Sequence, residues 1–103
     1  MSKGKIAAQV GHACLALYKK LLKKHGLELE HWETYDGSKK IALKCKDLKE
    51  LDNIKERAKQ MKISMETIID AGKTEVAAGS LTVMALFDKE SRLNQVTGHL
   101  KTL

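Results

Sequence analysis

KIALKCKDLKELDNIKERAKQM, residues 40–61, changes its hydrophobic period once. Over 40–46, Ile41, Leu43 and Cys45 alternate with Ala42 and Lys44, the two-residue repeat of a strand with one buried face. From Asp47 onward the spacing opens to Leu48, Leu51, Ile54, Ala58 and Met61, steps of three and four that line one side of a helix. Asp47 stands where a helix wants its N-cap, and Glu50 three residues later completes a capping-box-like pairing. A strand that feeds directly into a helix belongs to the α/β class, so this stretch sets the class for the chain.

The flanks extend the same reading. Upstream, Ile6, Val10, Cys14, Leu17 and Leu21 trace one stripe and predict a helix over 5–25. Gly26 is expected to end it in the left-handed C′ position, with Lys19, Lys20, Lys23 and Lys24 complementing the negative end of the helix dipole. Residues 27–38 read mostly as loop with one short helical piece docked by Leu27, Leu29 and Trp32, and Asp36-Gly37 as a turn. Downstream, 65–69 and 81–87 are short apolar or β-branched runs that predict two strands joined by the polar segment 70–80. Asp88 is expected to cap a last helix carrying Leu93 and Val96. The order helix, strand, helix, strand, strand, helix predicts a single small α/β domain over 1–103, a mixed β-sheet sandwiched between α-helices.

Composition bounds the function. With 103 residues, 43% hydrophobic, 31% charged and no proline, the chain has room for one core and one site. A formal charge of +6 draws phosphates, which makes nucleic acid the natural partner class, although lysine-rich helix faces are commonly only solvated. Cys14 and Cys45 each sit in an apolar pattern without a Cys-x-x-Cys partner, as buried reduced thiols of a cytoplasmic protein do. The chain as given holds no run of about 18 apolar residues and no signal-peptide core, so neither a membrane span nor secretion is expected. His12, His25, His31 and His99 lack ligand spacing, no His-Glu-x-x-His or Gly-x-Ser-x-Gly occurs, and neither metal nor cofactor is expected.

Two constellations concentrate reactive groups. In the first, Lys5, Gln9 and His12 are spaced i, i+4, i+7, so they share a polar helical face set apart from Ile6 and Val10. They lie at a helix N-terminus, whose unpaired N–H groups favour a phosphate or a developing oxyanion. Taken alone, the same residues also fit an ordinary solvated face. The second is DAGKTEVAAGSLT, residues 70–82, too long for a tight hairpin and placed where α/β folds put their sites, just past a strand end. A plain turn started by Asp70 with glycines for unusual dihedrals is the structural alternative. Gly72-Lys73-Thr74 lacks the earlier glycine of a P-loop, which disfavours nucleotide hydrolysis.

Together these segments resemble the type II peptidyl-tRNA hydrolase family: Lys-Gly-Lys-Ile-Ala-Ala-Gln-x-x-His at 3–12, Asp-Ala-Gly-Lys-Thr at 70–74, Gly-Ser-x-Thr-Val at 79–83 and Val-Thr-Gly-His-Leu-Lys at 96–101. Trp32 and the 40–46 strand also sit in their usual places, so the match spans nearly the whole chain. The resemblance implies a mixed sheet between helices, tRNA as partner, and hydrolysis of the ester in peptidyl-tRNA. Its functional set, carried to this sequence, is Lys5, Gln9 and His12 with Asp70, Thr74 and Thr82. In chemical terms His12 or Asp70 orients or deprotonates a water, while Lys5 and the hydroxyls of Thr74 or Thr82 stabilise the oxyanion. Gln9, Lys19, Lys23 and Lys73 are then the substrate-binding residues, with Lys19 and Lys23 continuing the helical strip toward the tRNA backbone.

Two positions depart from the family pattern. Members normally open with an apolar strand upstream of Lys-Gly-Lys, so the first strand is expected to be absent from this chain, and position 78, often proline, is Ala78. The alternative function is a non-catalytic RNA-binding or adaptor domain on the same fold, followed by a basic protein-binding scaffold. The sequence leaves the oligomeric state open, with a homodimer among the assemblies it allows.

Overall fold

Ser2 starts the first element. Its Oγ accepts the Lys5 N–H at 3.3 Å and its carbonyl accepts the Ile6 N–H, an N-cap from which α1 runs Lys3–Lys24. The computed structural model describes residues 2–69 and 81–103, with Leu81 and Thr82 described by backbone alone. After α1 come α2 (Gly26–Tyr35), β1 (Leu43–Lys44), α3 (Leu48–Gln60), β2 (Ser64–Ile69), β3 (Leu81–Phe87), α4 (Glu90–Thr97) and β4 (Lys101–Thr102).

β2 and β3 pair antiparallel, from Ser64 opposite Phe87 to Ile68 opposite Val83. Opposed residues share a face and alternate along the strand, so the ribbon has two apolar sides. Met65, Met84 and Leu86 pack against Ile54 and Ala58 of α3, Ile63, and Val96 of α4. Ala85 and Phe87 pack on the other side against Leu17 and Leu21 of α1 and Leu29 of α2. The ribbon is therefore sandwiched between helices, as the α/β reading requires. Each fully buried Leu or Val contributes about 1.5–3 kcal/mol by leaving water, which is how two small clusters hold a chain of this size.

Local chemistry fixes the joints. The Asp47 carboxylate accepts the Glu50 N–H at 2.9 Å and Glu50 Oε1 accepts the Lys46 N–H at 3.0 Å, so the expected capping pair forms, displaced by one residue on the return bond. Gly37 and Ser38 both take positive φ, 62° and 54°, turning the chain back so that Lys39 can accept the Trp32 Nε1–H at 2.9 Å. Arg92 Nε donates to Asp88 Oδ1 at 2.9 Å and its guanidinium also reaches the Met61 carbonyl, tying α4 to the ends of β3 and α3.

Several expectations change in detail. Gly26 is not a left-handed cap but the first residue of α2; His25 makes the break, at φ −130° and ψ 39°. Residues 27–38 are mostly helix rather than loop, because Leu29 and Trp32 give α2 an inward side while Leu27, 80% exposed, does not dock. The 40–46 strand shrinks to Leu43–Lys44, whose partner β4 is too short to carry a period. Both described pairings are antiparallel two-stranded ribbons, not one mixed sheet: β2 runs against β3 and β1 against β4. Lys89, not Asp88, is the N-cap of α4, since the Asp88 carboxylate is occupied by the Lys89 N–H and Arg92. Cys14 and Cys45 are free thiols as expected, but half-buried rather than buried.

Candidate functional site

α1 packs mainly on β2 and β3. Lys20 Nζ donates to the Met65 carbonyl at 3.1 Å and lies 4.0 Å from the Glu66 carboxylate, and Leu17 and Leu21 meet Ala85 and Phe87. The C-terminal half of α1 thus sits at the Ser64–Phe87 end of the ribbon, and its N-terminal half runs toward the Ile68–Val83 end. Residues 70–80 join Ile69 to Leu81 at that same end. The N-terminal half of α1, which carries the first constellation, thus runs toward the end of the ribbon that holds Ile69 and Leu81.

On α1 the residues separate by angle. At roughly 100° per residue, Lys5, His12, Lys19 and Lys23 fall on one narrow strip. His12, Lys19 and Lys23 are exposed and Lys5 is half-buried. Gln9 departs from the expectation: it is 5% exposed and lies in line with Ala13, Leu17 and Leu21, the buried line of the helix. The small Ala13 lets the helix approach the ribbon closely, which draws the buried line through 9 and 13 and leaves Ile6, Val10 and Cys14 half-buried at its margin. A buried amide needs its hydrogen bonds met, and Gln9 is held by partners rather than left to solvent.

Charge is segregated as well. α1 carries six lysines and no acidic residue, which equals the formal net charge of the whole chain. Of these, Lys20 is engaged by Glu66 and Met65, while Lys19 and Lys23 project to solvent. The Tyr18 phenol is raised above its ordinary pKa, first by its hydrogen bond to the Glu33 carboxylate and then by burial, a link between α1 and α2.

Thr82 occupies a singular backbone position. Ile68 pairs with Val83 but Ile69 pairs with Leu81, so the ladder passes over Thr82 as the extra residue of a bulge. Bulges bend a strand and re-aim its side chains, and they recur beside active sites. Sequence patterning did not reveal it, because a bulge has no fixed residue signature in so short a run. Asp70, Lys73, Thr74 and Ala78 lie outside the described residues, as does the Thr82 side chain. Among the described residues no three His, Cys, Asp or Glu side chains gather as a metal site, and no helix is long and apolar enough to cross a membrane.

A family model described as peptidyl-tRNA hydrolase PTH2 matches residues 1–103. The chain is 38% identical over 102 residues to the human protein named peptidyl-tRNA hydrolase 2, mitochondrial, covering 98% of this chain and 56% of that one. It is 38% identical over 104 residues to the peptidyl-tRNA hydrolase of Methanopyrus kandleri and 35% identical over 104 residues to that of Methanocaldococcus jannaschii, covering all of this chain and 88% and 90% of theirs. The chain therefore spans about half the length of the mammalian relatives it matches and most of the archaeal ones.

Proposed function

The chain belongs to the peptidyl-tRNA hydrolase PTH2 family, and from that premise we propose that it hydrolyses the ester joining a peptide, or an N-blocked amino acid, to tRNA. The observation that carries the reading is α1 itself: one helix holds the whole net charge and presents Lys5 and His12 beside the end of the ribbon from which residues 70–80 depart. Lys19 and Lys23 extend that strip and guide the tRNA backbone, while Gln9 contributes from its buried margin and Lys73 from the connecting segment.

The chemistry needs few groups. His12 or Asp70 takes a proton from water, and the hydroxide oxygen adds to the ester carbonyl carbon. The carbonyl oxygen becomes an oxyanion facing Lys5 and the hydroxyls of Thr74 or Thr82; the bulge at Thr82 supports a special placement of that residue. Collapse breaks the bond to the ribose oxygen, which leaves with a proton as the free tRNA end, and the peptide departs as a carboxylate. Every step is acid–base and electrostatic, and the proposal includes independence from metal ions, read as turnover retained in a chelator.

The test is release of an N-blocked amino acid from its tRNA, with unblocked aminoacyl-tRNA as comparison. Turnover of the blocked substrate is expected, with Asp70→Asn lowering it by roughly 10²–10⁴ while tRNA affinity holds. Equal losses of turnover and affinity would remove Asp70 from the chemistry, and tRNA binding without turnover by the folded native chain would return the adaptor reading. The proposal places the protein in the cytoplasm as one domain, supported by its two free thiols. The β2–β3 ribbon, two-stranded among the described residues, supports a homodimer that adds strands, to be read by sedimentation.

A further inference from the structure

One concavity among the described residues lies away from the α1 side of the ribbon. It has a volume of about 460 Å³, is floored by the buried Ile54 and Val96, and shares Lys46, Glu50 and His99 with a smaller neighbour of about 280 Å³. Ile54 and Val96 belong to the cluster on the α3 and α4 face, so the groove lies across the ribbon from Leu17 and Leu21 of α1.

Its walls are cationic: Lys44, Lys46, Lys49, Arg57 and Lys101, with His99 among them. None of the five has a carboxylate within ion-pair distance among the described residues. Lys44 and Lys101 stand directly opposite one another in the β1–β4 ladder, a like-charge pairing that weakens a ribbon only two residues long. Folding does not call for that arrangement; an anion lying over it would.

The two acids of the groove do little to offset this. Asp47 is occupied in capping α3, Glu50 Oε1 accepts the Lys46 N–H, and its other oxygen lies 3.8 Å from His99 Nε2. Five cations against two carboxylates leave an excess of positive charge in a concave wall, where field lines concentrate.

We propose that this groove binds the phosphodiester backbone of tRNA, a second nucleic-acid contact on the face opposite α1. It rests on the reading that tRNA is the substrate. The described residues measure 38 × 24 × 22 Å, small enough for one folded RNA to touch both faces. The groove is a contact for the body of the tRNA and takes no part in the ester chemistry.

The experiment measures deacylated tRNA binding by fluorescence anisotropy across a salt series, which needs no turnover. Three proteins are compared: the native chain, Lys46→Gln with Lys49→Gln, and a control of equal charge loss, Lys39→Gln with Lys89→Gln. The groove pair is expected to weaken binding about tenfold or more at 0.1 M salt and to lower the log–log salt slope by roughly 1.4–1.8, with the control close to native. Hydrolysis of an N-blocked aminoacyl oligonucleotide too short to reach the groove is expected to stay native in the groove pair. If the groove pair melts early, Arg57→Gln with Lys101→Gln repeats the measurement. Groove and control pairs behaving alike would overturn the proposal. So would unchanged tRNA affinity in a groove that inorganic phosphate alone saturates. Loss of tRNA binding in a chain that never turns over would keep the groove and remove the hydrolase; turnover with unaltered salt slopes would do the reverse.

Discussion

Alanine at position 29 and alanine at position 27 should have very different costs, although both leucines lie in one short helix and looked alike in the sequence. Leu29 is 2% exposed and closes the cluster of Leu17 and Leu21, with Trp32, Ala85 and Phe87 around it. Removing its side chain loses the transfer energy and leaves a cavity that helices on two sides cannot easily fill, about 2–5 kcal/mol. A chain of 103 residues holds about 5–15 kcal/mol in total, so Leu29→Ala should take a large share of it and lower the melting temperature by roughly 10 °C or more. Leu27 is 80% exposed, and Leu27→Ala should stay within about 0.5 kcal/mol of the parent. Urea titration read by circular dichroism gives both numbers, as shifts of midpoint at constant slope. Because α2 braces α1 through this cluster, Leu29→Ala should also lose turnover at lower temperatures than the parent, in step with its melting. Equal costs for the two variants, or a Leu29→Ala loss below about 1 kcal/mol, would contradict the packing of α2 described above.

Two further predictions concern charge. Lys19→Gln with Lys23→Gln should reduce the log–log salt slope of tRNA binding by roughly 1.4–1.8 with little change in stability, since both side chains project to solvent; an unchanged slope would take the strip off the RNA path. The Cys45 thiol is pushed up by burial first, then by the Glu50 and Asp47 carboxylates, so its alkylation should need higher pH in the folded chain than in urea, and Glu50→Gln should speed it. The same shift makes a small contribution to stability that is full below the unfolded thiol pKa and lost as pH rises through the folded value. A folded-state inflection at or below the one in urea would rule out this environment.

The sequence was most legible where period and capping agreed. Asp47, Glu50 and the stripe from Leu48 to Met61 predicted α3 almost to its ends, because local bonds alone decide them. α2 was harder: its inward side rests on two residues, Leu29 and Trp32, and only the ribbon opposite makes them a pattern. Gln9 shows the same limit within the candidate site. Its spacing from Lys5 and His12 was correct, but whether a residue at the boundary of a stripe turns to solvent depends on how closely the helix approaches its neighbour, and Ala13 sets that distance. The bulge at Thr82 and the two-residue β1–β4 ladder are products of pairing between distant segments, which no local pattern encodes.

α2 brings a consequence of its own. Its ten residues include Glu28, Glu30 and Glu33 and no lysine or arginine, beside a helix whose every charged residue is a lysine. A polyanion tumbling toward the molecule therefore meets a repelling flank next to an attracting one, and the gradient between them applies a torque before any atoms touch. Encounters that begin the wrong way round are turned or rejected at a distance, so α2 would act on how often a collision succeeds while never meeting the substrate. Neutralising its glutamates should leave the bound complex much as it was and make the approach to it less selective.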